Sequence, residues 1–178
     1  MPDNKLPVTL FLCGFMGCGK SAVGRRLGKA LGVQFLDMDA YIVAQAGMSI
    51  PEIFDKLGEP VFREMETRAI ETLGGDEPMI VATGGGALLR PENAELANKV
   101  GKVLFLDVPF PVCYRRIRGD KNRPLVMQNN RKQLEEIYQT RKPLYQAAAT
   151  ITVKGRPRLS DTVAMILRVL GLAEKQDG

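Results

Sequence analysis

The stretch Gly14-Phe15-Met16-Gly17-Cys18-Gly19-Lys20-Ser21 has the form G-x4-G-K-[ST]. It follows a short apolar run, Val8 to Cys13, and precedes Lys20 to Leu31, where Val23, Leu27, Ala30 and Leu31 fall at helical spacing. A strand, a glycine loop and a helix are therefore expected in that order, the setting in which this pattern binds phosphate. Glycines let backbone N–H groups converge on phosphate oxygens without interference from a Cβ. The helix N-terminus adds partial positive charge. Residues Gly17, Cys18, Gly19, Lys20, Ser21 and Ala22 are the expected nucleotide cradle. Lys20 should reach the β and γ oxygens of ATP, and Ser21 should ligate Mg²⁺. Cys18 reads as a small side chain tolerated inside the loop.

The rest of the chain alternates short β-rich runs with longer helical stretches, which predicts an α/β domain with a mostly parallel sheet. Further strands are expected at Val33 to Leu36, Met79 to Ala82, Val103 to Asp107 and Thr150 to Val153. Helices are expected from a Ser49/Glu52 capping box, over about Pro60 to Leu73, Pro111 to Arg118, about Asn130 to Ala149, and Ser160 to Leu170. The polar stretch Gly119 to Asn130 reads as a mobile loop. A chain of 178 residues suits one domain, spanning 1–178. No apolar run approaches the roughly 20 residues of a membrane span. Met1 to Pro7 lacks the layout of a signal peptide, so a cytoplasmic protein is expected. The net charge of +5 fits anionic ligands but is too mild to imply DNA, and no basic stripe interleaved with aromatics is present.

There is no histidine, so proton chemistry falls to carboxylates, Lys, Tyr or water. Asp37-Met38-Asp39 ends the second expected strand, and in an extended segment its two carboxylates would point the same way. At the carboxyl end of a strand they would face the ligand crevice of an open α/β sheet. One could orient metal-bound water and the other accept a proton from a hydroxyl; a helix cap at Asp39 is the alternative. Gly84, Gly85 and Gly86 directly follow a strand and would let a ligand pass close to backbone. Arg63 and Arg141 are ordinary exposed helix residues when read alone. Arg115, Arg116, Arg118, Lys121 and Arg123 border the polar loop, where cations could arrive late over a transferring phosphoryl group.

Together these residues resemble the shikimate kinases. The resemblance runs from Thr9 through Leu170 and includes the P-loop, Asp37-x-Asp39, Phe62-Arg63-x-x-Glu66, Thr83-Gly84-Gly85-Gly86, Asn122-Arg123-Pro124-Leu125 and Arg141-x-Pro143-Leu144-Tyr145. It implies a three-layer α/β P-loop kinase fold with a five-stranded parallel sheet in the order 2-3-1-4-5. It also implies a mobile lid at about 119–130 and a shikimate-binding region at about 37–66. The implied activity is transfer of the γ-phosphoryl group of MgATP to the 3-hydroxyl of shikimate by a monomer that needs neither nucleic acid nor membrane. In that family pattern Asp39 would bind the acceptor hydroxyl and act as base, while Arg63 and Arg141 would grip the carboxylate. Gly84, Gly85 and Gly86 would touch the substrate through backbone. Asp37 would act on Mg²⁺ through water, Arg123 would be the lid arginine, and Arg116 and Arg158 would lie near the adenine. One position departs: Ala82 stands where some relatives carry a serine. Another small-metabolite kinase of the same fold, such as a gluconate kinase, and a binding module without turnover are the rival readings.

Overall fold

The computed structural model describes residues 5–172. Residues 1–4, part of the polar segment behind the cytoplasmic expectation, and 173–178 lie outside it. Strand β1 (Thr9–Cys13) is buried at every position and feeds the glycine loop, and helix α1 (Lys20–Leu31) leaves it. Then come β2 (Phe35–Asp37), α2 (Met38–Ala46), α3 (Ile50–Leu57) and α4 (Glu59–Leu73). Strand β3 (Ile80–Ala82) leads through the glycine triplet to a short 3-10 turn (Ala87–Leu89) and α5 (Pro91–Val100). The chain continues with β4 (Gly101–Asp107), α6 (Phe110–Ile117), α7 (Pro124–Gln128), α8 (Arg131–Ala148), β5 (Ile151–Lys154) and α9 (Leu159–Leu170).

The five strands are parallel and ordered β2-β3-β1-β4-β5. Because β1 is buried throughout, the sheet is covered on both faces, as parallel sheets require. Helices α1 and α9 pack together, while α5 neighbours both α4 and α8. Gly24 in α1 faces the Phe35 ring, where a Cβ would collide. That absence lets α1 close onto β2, in exchange for a helix-propensity cost of about 1 kcal/mol. The chain order reverses at β1, with β3 on one side and β4 on the other. Ligands of open α/β sheets bind in the crevice at such a point.

Two local expectations are corrected. Asp39 is not part of an extended segment: β2 ends at Asp37, and Asp39 lies in the first turn of α2. The cap is Asp37, whose Oδ1 accepts from Ala40 N–H at 3.0 Å. The second correction is at 119–130, which is not all loop. Arg123 is the N-cap of α7, Pro124 sits in its first turn, and Leu125 and Val126 pack against the core. Helix α5 is an addition that no strong sequence signal marked. The Ser49/Glu52 capping box forms as expected, and a second one, Asn130 with Gln133, opens α8.

Candidate functional site

A cleft of about 850 Å³ lies at the carboxyl ends of β1, β2 and β3. One wall is the glycine loop. Gly14, Gly17 and Gly19 have φ of 152°, 80° and 98°, a backbone region that side chains with a Cβ rarely adopt. A Cβ on Gly17 would also press to 2.7 Å from the Cys113 carbonyl, so the loop is seated on α6. Lys20 Nζ crosses the loop and donates to the Gly14 carbonyl at 2.6 Å. Arg116 donates to the Gly17 carbonyl at 3.0 Å from the other side. The first N–H groups of α1 have no intrahelical acceptor, which makes them the natural anion donors. Cys18 does not offer its side chain to the cleft. Its thiol is buried under the loop near Gly14, and its N–H closes a turn on the Phe15 carbonyl at 3.0 Å.

The opposite wall is the triplet after β3. Each of its glycines faces one charged side chain from a different helix. A Cβ on Gly84 would sit 2.5 Å from Asp39 Oδ1, one on Gly85 would sit 3.4 Å from Arg141 Nη1, and one on Gly86 would sit 3.0 Å from Arg63 Nη1. None of the three has positive φ. At Gly84, and less sharply at Gly86, glycine is needed for room and not for conformation, while at Gly85 the distance is that of an ordinary contact. A three-residue turn therefore gathers a carboxylate and two guanidinium groups that are far apart in the chain.

These charges act on one another. Burial pushes the Asp39 carboxyl above its usual range, and the neighbouring Asp37 adds to the shift; Lys20 and Arg63 oppose it. Arg63 donates to Glu66 at 2.7 Å and to Glu59 at 3.2 Å. Burial works against the Arg63 charge, but these bonds outweigh it and raise its pKa above the ordinary value. Burial also pushes the Glu66 carboxyl up, and Arg63 pulls it back. Glu66 is the one buried charged residue among the described residues, and the i, i+3 spacing in Phe62-Arg63-x-x-Glu66 was its sequence signal. Thr83, beside Ala82, does not replace the serine of some relatives as a free donor, because its hydroxyl donates to the Leu12 carbonyl at 2.8 Å.

The sequence-derived residues Gly17, Gly19, Lys20, Ser21, Ala22, Asp37, Asp39, Arg63, Gly84, Gly85, Gly86, Arg116, Arg123 and Arg141 all line this one cleft. Arg123 Nε is held by Asp120 at 3.0 Å, at the cleft rim. Arg158 is not brought to the lining. It is exposed at the start of α9. For a metal, Ser21 and Asp37 supply hard oxygen donors in the cleft. No cluster of three or more His, Cys, Asp or Glu exists among the described residues. This sparse oxygen set fits Mg²⁺, which keeps several waters and binds through one or two protein groups plus substrate phosphates.

A family model described as shikimate kinase matches residues 16–170. The chain belongs to the shikimate kinase family. The shikimate kinase of Psychrobacter arcticus is 46% identical over 83% of this chain and 80% of its own length. That of Ralstonia nicotianae is 41% identical over 92% and 87%. Among solved structures, the Acinetobacter baumannii shikimate kinase in complex with shikimate superposes with a TM-score of 0.82 at 35% identity, covering 92% of this chain and 93% of that one. A gluconokinase from Sinorhizobium meliloti reaches a TM-score of 0.61 at 18% identity, a likeness of fold alone. As a shikimate kinase, the chain is an ATP-dependent phosphotransferase that acts on a shikimate hydroxyl. No helix among the described residues is long and apolar enough to cross a membrane.

Proposed function

We propose that this cleft carries out phosphorylation of the shikimate 3-hydroxyl with the following division of labour. Lys20 and the first amides of α1 bind the β- and γ-phosphates of ATP. Ser21 directly, and Asp37 through water, hold Mg²⁺, which when bound neutralises charge between the phosphates. Arg116 and, from outside the cleft, Arg158 flank the adenine. Arg63 and Arg141 clamp the shikimate carboxylate with planar guanidinium forks, a geometry Lys cannot copy. The Gly84–Gly86 backbone lies along the ring. Asp39 orients the acceptor hydroxyl toward the γ-phosphate and takes its proton. Positioning and electrostatics of this kind are most of what phosphoryl transfer requires. The observation that carries the reading is the triplet that seats Asp39, Arg141 and Arg63 on consecutive residues. The protein works as a cytoplasmic monomer and uses no nucleic acid or membrane.

A coupled assay of ADP release tests the substrate assignment. Turnover should need Mg²⁺ and shikimate together, and gluconate should not replace shikimate. In the same assay Arg63→Ala should raise the KM for shikimate by at least about 30-fold, since breaking a buried charge pair costs roughly 2–5 kcal/mol. The KM for ATP should move far less. Turnover with gluconate alone, or a loss confined to ATP, would overturn the assignment.

Residues 119–130 are the lid of this reading, with Arg123 as the cation that reaches the phosphates. Closure would exclude water from the γ-phosphoryl group and couple catalysis to the presence of the acceptor. Arg123 is bound to Asp120 at 3.0 Å, an exposed i, i+3 pair of the kind that contributes little. Moving Arg123 to a phosphate therefore gives up little. Hydrogen exchange across 119–130 should slow when ADP and shikimate are added together, and Arg123→Ala should lower turnover while leaving shikimate affinity within a few fold. Equal exchange in both states, with an unimpaired variant, would reduce the segment to a solvated basic loop.

A further inference from the structure

Helix α8 carries Arg141, and one hydrogen bond of its backbone ladder is missing close by. Pro143 lies inside the helix and has no N–H to offer the carbonyl four residues back, that of Gln139. Two buried tyrosines flank the gap. Tyr138 donates its hydroxyl to the Val108 carbonyl at 3.0 Å, and its ring meets Phe15 of the glycine loop edge-on at 5.2 Å. Tyr145, four residues after Arg141 and on the same helix face, donates to the Gly85 carbonyl at 2.8 Å. Its ring is 2% exposed and stacks on Phe105 of β4 at 5.7 Å between centroids. The Arg141 Nη1 lies over the same Gly85, and its charge opposes the upward shift that burial gives the Tyr145 hydroxyl.

We propose that Tyr145 is a positioning residue for the acceptor side. Its hydroxyl donates to Gly85 and faces the Arg141 guanidinium with its lone pairs, so one buried oxygen fixes both the 85–86 peptide and the arginine. The glycine triplet has no side chains of its own to hold it. The tyrosine supplies that rigidity from α8 and keeps the triplet and the carboxylate clamp at a constant distance. The ring has a separate task, filling the core against Phe105, and the two can be parted by mutation. This inference rests on the assignment of Arg141 to the shikimate carboxylate.

Tyr145→Phe removes the hydroxyl and keeps the ring. The KM and Kd for shikimate should rise roughly 3- to 10-fold, the weight of one hydrogen bond. The KM for ATP and the thermal midpoint should stay near those of the parent. Arg141→Ala, measured alongside, tests the underlying assignment: it should raise the shikimate KM well beyond the Tyr145→Phe value. If Arg141→Ala does so and Tyr145→Phe leaves shikimate binding unchanged, the positioning role is wrong and the assignment stands. If Arg141→Ala spares shikimate, the assignment itself fails. A Tyr145→Phe variant with a lowered midpoint and equal losses for both substrates would make the hydroxyl a fold-holding group, and that too overturns the proposal.

Discussion

Asp39→Asn should lower turnover with shikimate by roughly 10²- to 10⁴-fold, the usual weight of a positioned general base, while shikimate Kd moves only a few fold. Asparagine has nearly the size of aspartate, so the contact with Gly84 is kept. What disappears is a negative charge in the company of Lys20, Arg63 and Asp37 and the capacity to accept a proton. The carboxylate clamp proposed for Arg63 and Arg141 is untouched, which is why binding should survive. Phosphoryl transfer passes through a loose transition state in most analyses, so the hydroxyl proton leaves late. That places the expected loss toward the lower end of the range, with orientation of the hydroxyl as the larger share. Steady-state turnover at saturating ATP and shikimate, with shikimate binding measured separately by calorimetry, decides it. Turnover within about threefold of the parent would remove Asp39 from the chemistry.

The sheet was legible because each strand is a short apolar run bounded by turn residues, and the glycine loop fixed where the first strand ends and the first helix begins. The order β2-β3-β1-β4-β5 was not legible from periodicity; it came with the resemblance that the full set of motifs carries. Helix α5 escaped because Pro91 to Val100 has no side-chain cap and presents mostly small buried residues, Asn93, Ala94 and Ala97, that make a faint stripe. Helix α7 escaped because it is five residues long and has no buried residue. At Asp37 and Asp39 the expected backbone was wrong. A strand that runs straight into a helix leaves the first aspartate as cap and rotates the second into the first helical turn, so the pair does not share a face by strand alternation. The glycine triplet was read as room for a ligand. The structure adds that the room on its inner side is already taken by Asp39, Arg141 and Arg63, a fact that depends on three distant segments meeting and has no local sequence signal.

That occupancy makes Gly84 as sensitive as the residues it serves. Gly84→Ala should reduce turnover by about 10²-fold, the scale of loss expected when a catalytic group is misplaced by around 1 Å. The new Cβ would stand 2.5 Å from Asp39 Oδ1 and 2.9 Å from Oδ2, closer than atoms of a settled structure approach. Backbone conformation is no obstacle, because Gly84 has no positive φ. Something must therefore move, and the softest element is the Asp39 side chain, a short half-buried carboxylate in the first turn of α2. Its rotation would take it off the proposed line to the γ-phosphate while the sheet and α2 stay in place, so the thermal midpoint should change little. A methyl could instead hinder shikimate directly, and the double variant separates the two. With Asp39→Asn already present, adding Gly84→Ala should cost only a few fold more if the glycine acts through Asp39, because neighbouring residues in one network are not additive. A second full 10²-fold loss, accompanied by a large rise in the shikimate KM, would mean that the missing side chain makes room for substrate and not for the base.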